Sequence, residues 1–485
     1  MSNKRIAFIP LLILLYFFVH YTTDFFYFLN PWPVFFQFIK YLLVCCTLYF
    51  LGYKFFKNKK RFTLVFSTLL FIFLFFGSIT DTAVSLNILN PFTAVDTKII
   101  ISFTAVSIVI ILVCRWLNKP IIVKLLKFWL IYCLAVLFYD AGMFILSGKK
   151  EKKYLTSVNE TAGFTSAEKP SVFFLLFDMY PSDTVLKRYL GFDNTALNLF
   201  FKENQFFVSG NAHSLYQETY YSLASTLSLK PLLYLQDSAI KEYKKKLIAL
   251  RNIENTRLPG IFERSGYTFR NYSVFNLQTQ PSQLQFNLNY HLKNILTSTT
   301  FFNRFYDGFE PDFFLANRNI KTGFIKKSWS SKLKNDLATL KADFTILMDS
   351  FSRTGKPSFN YFHFMMPHPP VLYDSSGNEN TIKDMYTYNG FDKTIKNYTG
   401  YLKYANKELK KMVNMIFTKA GRNVVIVIQG DHGYREFSER FPDAVRYGIL
   451  NAVYLPGKNY INFNDSMTPI HTFNQVLKNQ FNFLQ

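Results

Sequence analysis

The strongest constraint on the fold of this chain is where charge is missing. Residues 1–147 carry 13 Lys or Arg and 4 Asp, whereas residues 148–485 carry 42 basic and 28 acidic side chains. A membrane-spanning helix needs roughly 20 mostly apolar residues, and five stretches of about that kind lie in the first part: about 6–26, 33–53, 62–80, 98–114 and 125–147. The first has a long apolar core, and the residues after it (His20 to Asp24) have no small-residue cleavage pattern, so it reads as an anchor and not as a signal peptide. The sequence therefore predicts a transmembrane bundle of about five helices over 1–147, a polar linker over 148–170, and a water-soluble domain over 171–485.

Side is predicted from Lys and Arg. Lys4 and Arg5 precede the first stretch, Lys54, Lys57, Lys59, Lys60 and Arg61 separate the second from the third, and Arg115, Lys119, Lys124 and Lys127 separate the fourth from the fifth. The other two connections carry Asp24, and Asp81, Asp96 and Lys98. The positive-inside rule then places the N-terminus in the cytoplasm and, after five crossings, the C-terminal domain outside. Lys149, Lys150, Lys152 and Lys153 point the other way, but a large translocated domain can override such a cluster. The net charge of +23 is spread along the chain, with no basic arm, which argues against a nucleic-acid partner and suits an anionic membrane surface. All four cysteines (Cys45, Cys46, Cys114, Cys133) lie before residue 148, so the soluble part has no disulfide.

In the soluble part, Ser171–Phe177 (SVFFLLF) and Asn423–Ile428 (NVVIVI) are unbroken apolar runs closed by polar or turn residues. Such runs read as strands buried on both faces of a parallel sheet. Helical patterns such as 238–255 and 331–350 lie between them, which makes an α/β domain with a mostly parallel central sheet. Ligands in such sheets sit beyond the carboxyl ends of the strands, and both runs lead to an aspartate there: Asp178, and Asp431 in Asp431-His432-Gly433. A carboxylate beside an imidazole suits a divalent ion such as Zn or Mn; the bland alternative is a pair of turn or capping residues. Thr219, in Gln217-Glu218-Thr219-Tyr220-Tyr221-Ser222, stands where a loop enters a helix. Its ordinary role would be an N-cap, and the same geometry can hold a phosphate at the helix start. His363 and His368 lie five positions apart, the second in a Pro-rich loop, and each could be a structural histidine. His213, His291 and His471 are lesser candidates.

Taken in order, Asp178, the Gln217–Leu223 loop-helix, the His363–His368 element and Asp431-His432-Gly433 resemble the alkaline phosphatase and sulfatase superfamily. The branch is that of the membrane-anchored lipoteichoic acid synthases and lipid A phosphoethanolamine transferases. The resemblance implies Asp178, Thr219, Asp431 and His432 as ligands of one divalent ion (Zn or Mn, then Mg), with Thr219 also the nucleophile. It implies His363 and His368 as contacts to the substrate phosphate or leaving group, His368 also as a catalytic proton donor, and His471 as a further site residue. Two departures stand out: lipoteichoic acid synthases carry Glu where this chain has Asp178, and the lipid A enzymes carry disulfides that are absent here. The Cys/Ser-x-Pro-x-Arg motif of formylglycine sulfatases is replaced by Thr219 to Leu223, which argues against arylsulfatase chemistry. Asp349, the nearest acid before His363, is too far back for a second metal set. The expected activity is transfer of a phospho-alcohol group from a membrane lipid, through a phospho-Thr219 intermediate, to a cell-envelope glycan or lipid. Hydrolysis of a phosphate or sulfate ester by the same centre, and an inactive membrane-tethered scaffold, are the alternatives.

Overall fold

The computed structural model describes residues 6–29, 31–86, 88, 98–147, 152–155, 163–166, 168–277, 280–288, 296–303, 323–351, 355–386 and 390–483. The chain forms two compact units, one of residues 1–153 with 290–315, the other of 154–289 with 316–485. The predicted linker falls largely outside the described residues, as does His291.

All five apolar stretches contain helix: Ile9–Asp24, Pro31–Phe55, Lys59–Leu74 followed by Phe76–Ser85, Lys98–Trp116 and Lys119–Ser147. Among the described residues, two helices are long and apolar enough to cross a membrane, within Pro31–Phe55 and Lys119–Ile145, and a third span results if Lys59–Leu74 and Phe76–Ala83, bent by 65°, count as one. Two or three of the expected spans are thus found among the described residues, with Ile9–Asp24 and Phe103–Trp116 as shorter apolar helices. Ile9–Asp24 has 16 residues, about 24 Å of helix, against a hydrocarbon core of roughly 30 Å. Large side chains such as Phe36, Leu43, Phe50, Ile131 and Phe138 face outward, as lipid-facing residues do.

The bend has a local explanation. A broken helix leaves backbone groups unpaired, which hydrocarbon cannot satisfy. Here residues 296–303, far along the chain but part of the same unit, supply the partners. The Gly77 N–H donates to the Thr299 carbonyl at 2.6 Å, and the Thr299 hydroxyl donates to the Leu74 carbonyl at 3.3 Å. Phe301 stacks on Phe103 with centroids 4.2 Å apart. Elsewhere in this unit buried Asp140 receives the His20 ring at 3.1 Å.

The second unit is built on a six-stranded mixed sheet in the order β2-β6-β5-β1-β4-β3, with β1 Ser171–Phe177, β2 Phe207–Val208, β3 Thr268–Tyr272, β4 Ser358–Phe364, β5 Val424–Gly430 and β6 Asn451–Tyr454. The pairs β1–β4, β1–β5 and β3–β4 are parallel, and β5–β6 and β2–β6 are antiparallel. The sheet is therefore mixed where a mostly parallel one was expected, because β6 follows β5 directly through the loop 431–450 and runs back beside it. Both predicted strands are present, and β1, β4 and β5 are buried at every position. Helices such as Thr219–Ser228, Phe391–Lys419 and Pro469–Phe481 bury apolar side chains, among them Leu223, Leu402, Leu409, Phe473 and Leu477. The register aligns Phe177 with Gly430 and Leu176 with His363. The first residues beyond β1 and β5, Asp178 and Asp431, consequently emerge side by side.

Candidate metal centre and active site

Four side-chain atoms at this sheet end are buried without a hydrogen-bond partner: Asp178 Oδ1, Thr219 Oγ1, Asp431 Oδ2 and His432 Nε2. An unpaired buried polar atom costs about 1–3 kcal/mol, so four from the predicted ligand set call for a missing partner. The remaining atoms of the three ionisable residues are tied down. His363 Nε2 meets Asp178 Oδ2 at 3.4 Å, the Met179 N–H donates to Asp431 Oδ1 at 2.9 Å, and His432 Nδ1 faces the Gly433 carbonyl at 2.8 Å. A carbonyl can only accept, so Nδ1 carries the proton and the Nε2 lone pair points toward the two carboxylates. His432 Nε2 lies 3.5 Å from Asp178 Oδ1 and 3.5 Å from Asp431 Oδ2. Ligand atoms on a tetrahedral ion with bonds of about 2.1 Å stand about 3.4 Å apart. The donor types, and the two spacings from His432, fit a divalent cation.

Local sequence explains the placement. Gly430 passes so close to Tyr180 that a Cβ would sit 2.3 Å from its carbonyl oxygen, and a Cβ on Gly433 would sit 2.2 Å from the Val445 oxygen. Neither position has room for a side chain. Met179 takes a left-handed turn at φ 60, and its carbonyl accepts the Tyr398 hydroxyl at 2.6 Å. Thr219 opens helix Thr219–Ser228, with Glu218 as the N-cap residue making no side-chain cap bond. The expected capping role for Thr219 does not occur: it is the first helical residue, and its hydroxyl is left buried without a partner. One turn on, the Ser222 hydroxyl donates to the Asp431 carbonyl at 2.6 Å and fastens this helix to the loop after β5.

The two histidines of the Pro-rich element are parted. His363, on β4, is fully buried behind Asp178, with Nδ1 3.3 Å from the Tyr361 hydroxyl; burial pushes its pKa down to about 4. Both ring nitrogens of this predicted substrate contact meet protein groups. His368 lies nearer the centre, and one ligand atom each from Asp178, His368 and His432 fall within 4.8 Å of one another. Its nitrogens nevertheless have partners, Nδ1 at 2.5 Å from the Pro369 carbonyl and Nε2 at 3.1 Å from Arg435 Nη2. This separates it from the four unpartnered atoms. His471 is in the first turn of helix Pro469–Phe481, its N–H capped by Thr468 Oγ1 at 3.2 Å. His213 has Nδ1 3.5 Å from the Ser466 hydroxyl.

Electrostatics follow from burial. The Asp178 carboxyl is held well above the usual range, first by desolvation and then by the Asp431 charge. His368 and His432 are held well below theirs, first by desolvation and then by the Arg435 guanidinium. Arg435 and Glu218 had no assigned role in the sequence. Arg435 Nη1 donates to Glu218 Oε2 at 3.0 Å and to the Gln217 carbonyl at 3.2 Å. The available signal was chain order alone: Arg435 follows Asp431-His432-Gly433 by two residues, and Glu218 precedes Thr219.

Residues 198–473 match the family model described as Sulfatase. No curated protein matches the sequence. Solved structures to which the chain shows similarity include the integral membrane lipooligosaccharide phosphoethanolamine transferase A (EptA) of Neisseria meningitidis, at 13% identity and TM-score 0.39, covering 99% of this chain and 95% of that one. Others are the phosphonate monoester hydrolase of Agrobacterium radiobacter (12%, TM-score 0.40, 64% and 73% covered) and a 2-O GAG sulfatase (13%, TM-score 0.42, 66% and 72% covered).

Proposed function

The chain belongs to the sulfatase family, and from that premise we propose that it is a membrane-anchored, metal-dependent phosphotransferase with Thr219 as its nucleophile. The observation that carries this reading is the set of four unpartnered buried atoms, because one of them is a hydroxyl. Asp178, Asp431, His432 and Thr219 would hold the divalent ion, Zn or Mn before Mg. When bound, such an ion supplies a lowered hydroxyl pKa and charge neutralisation at a phosphoryl oxygen.

The chain's own residues account for the rest. Thr219 Oγ1 attacks phosphorus in line and forms a phospho-Thr219 intermediate. The first turn of its helix directs a positive dipole end to the same place. His363 fixes the orientation of Asp178 from behind. His368 presents an Nε2 lone pair, because its Nδ1–H is committed to the Pro369 carbonyl. In the first step the Thr219 hydroxyl gives its proton to that lone pair and the ring passes it to the departing alcohol; in the second step the acceptor hydroxyl gives its proton to the same lone pair as it attacks phosphorus, and the ring returns it to Thr219 Oγ1.

The apolar helices favour a lipid donor and a cell-envelope glycan or lipid acceptor over a soluble ester and water. Orientation rests on one crossing: the helix within Lys119–Ile145 begins among Arg115, Lys119, Lys124 and Lys127 and ends next to the second unit's chain. That basic end belongs in the cytoplasm, so the catalytic unit is extracytoplasmic. To test the reading, full-length protein in micelles is incubated with Mn2+ and a bacterial lipid extract, and the Thr219 peptide is weighed after acid quench. A phospho-alcohol adduct on the wild type and on Thr219→Ser, and none on Thr219→Ala, is expected. Absence of any adduct, with turnover unchanged in Thr219→Ala, sinks the proposal. Turnover of soluble phosphoesters without reaction on lipid converts it to a hydrolase.

A further inference from the structure

The Arg435 guanidinium bridges the residue that precedes Thr219 and the ring nitrogen of His368, with only 15% of its side chain exposed and 30% of that of Glu218. Burial of an ion pair is costly and needs a compensating use. The two ends of this guanidinium are unequally served. Nη1 faces a carboxylate and a carbonyl, while Nη2 donates to Nε2 of His368, which can accept only in the neutral ring. Bonds from a guanidinium to an anionic oxygen are roughly twice as strong as bonds to a neutral acceptor. An oxyanion arriving beside Thr219 would therefore take Nη2 from His368.

We infer that Arg435 is the substrate-binding residue that grips a non-bridging oxygen of the ester, and that Glu218 is the positioning residue that sets the guanidinium and matches the site to singly charged esters. This rests on the phosphoryl-transfer reading of the same site. Asp178 and Asp431 balance a divalent cation, and Glu218 balances Arg435, so the centre is neutral before substrate arrives. A monoanion, whether a phosphodiester or a sulfate ester, then adds one unpaired charge, and a dianionic phosphomonoester adds two. In a site this buried the second charge is the expensive one. Arg435 gains its place from the two glycines that let the chain pass close to Tyr180 and Val445 after β5, and release of His368 Nε2 by the incoming anion frees that lone pair for the acceptor's proton.

The test is equilibrium binding, read by calorimetry on Mn2+-loaded full-length protein in micelles at pH 8. The ligands are diethyl phosphate, methyl sulfate and methyl phosphate, the last a dianion at this pH because its second pKa is about 6. Wild type is expected to bind the monoanions more tightly than methyl phosphate, and the tighter of the two identifies phosphodiester or sulfate ester as the source. Arg435→Lys keeps the charge but loses the fork, and should weaken the monoanions about tenfold. Glu218→Gln should shift the preference about tenfold toward methyl phosphate, a change that a merely structural glutamate would not produce. Wild-type affinities in Arg435→Lys, or an unchanged preference in Glu218→Gln, overturn the inference. If wild type shows no Thr219 adduct while Arg435→Lys still loses anion affinity, the phosphoryl-transfer reading fails and the anion clamp stands.

Discussion

Asp178→Asn separates stability from function at the candidate metal centre. Without an ion, and at a pH high enough to ionise Asp178, the Asp178 and Asp431 carboxylates are buried and mutually repulsive, with Asp178 Oδ1 and Asp431 Oδ2 lacking hydrogen-bond donors. Replacing one carboxylate by an isosteric amide removes the repulsion and gives the site N–H donors for the atoms opposite. An unsatisfied buried group costs about 1–3 kcal/mol, so the metal-free variant should be more stable than metal-free wild type by about that amount, or a Tm about 2–6 °C higher for a unit of this size. Metal reverses the order. At a free ion concentration 100 times Kd, wild type gains about 2.7 kcal/mol, whereas the variant has lost a charged ligand and gains little. Differential scanning calorimetry of both full-length proteins in micelles, with EDTA and then with Mn2+, reads the two orders directly. A metal-free variant no more stable than wild type, or equal metal-induced shifts in both, would refute the claim that these atoms form one ion site.

Three further outcomes are expected. His363→Ala should lower Mn2+ affinity about 10–100-fold while Thr219 stays in place, since it removes the group that orients Asp178; equilibrium dialysis against Mn2+ checks this. Metal affinity should fall on acidification and each ion bound should release protons, because Asp178 is held above the usual carboxylate range and must ionise to bind. The sign for folding is opposite: the raised pKa makes the metal-free unit lose stability as pH rises through it, so Tm in EDTA should drop with rising pH, less so in Asp178→Asn. Gly433→Ala should destabilise the unit by about 1–3 kcal/mol and weaken metal binding, because its Cβ would meet the Val445 oxygen at 2.2 Å.

The candidate centre was readable from sequence for a physical reason. Two fully apolar runs each lead to an aspartate, and adjacent parallel strands in matched register must present their C-terminal residues together. The side-by-side emergence of Asp178 and Asp431 is a consequence of the pairing of Phe177 with Gly430. What periodicity could not supply was direction and depth. Nothing in NAVY (Asn451–Tyr454) marks β6 as reversed, and nothing in the apolar stretch 62–80 announces a break after Leu74. Thr299, which satisfies that break, lies over 200 residues away in a segment with no apolar period.

The same reasoning explains the different fates of the two histidines. On β4, His363 pairs in register with Leu176, two residues before Asp178. A side chain there reaches the back of the Asp178 carboxylate while the strands still bury it on every side. His368 lies four residues beyond the strand, past the sheet edge, where Arg435 can reach it. Spacing alone treated the two residues as a pair facing one ligand. The sheet makes them unlike, with His363 Nε2 3.4 Å from Asp178 Oδ2 and His368 Nε2 3.1 Å from Arg435 Nη2. Glutamine should therefore act differently at the two positions: His363→Gln keeps a donor for Asp178 and most Mn2+ affinity in equilibrium dialysis, whereas His368→Gln keeps Mn2+ affinity but removes the proton acceptor and with it turnover in the lipid assay.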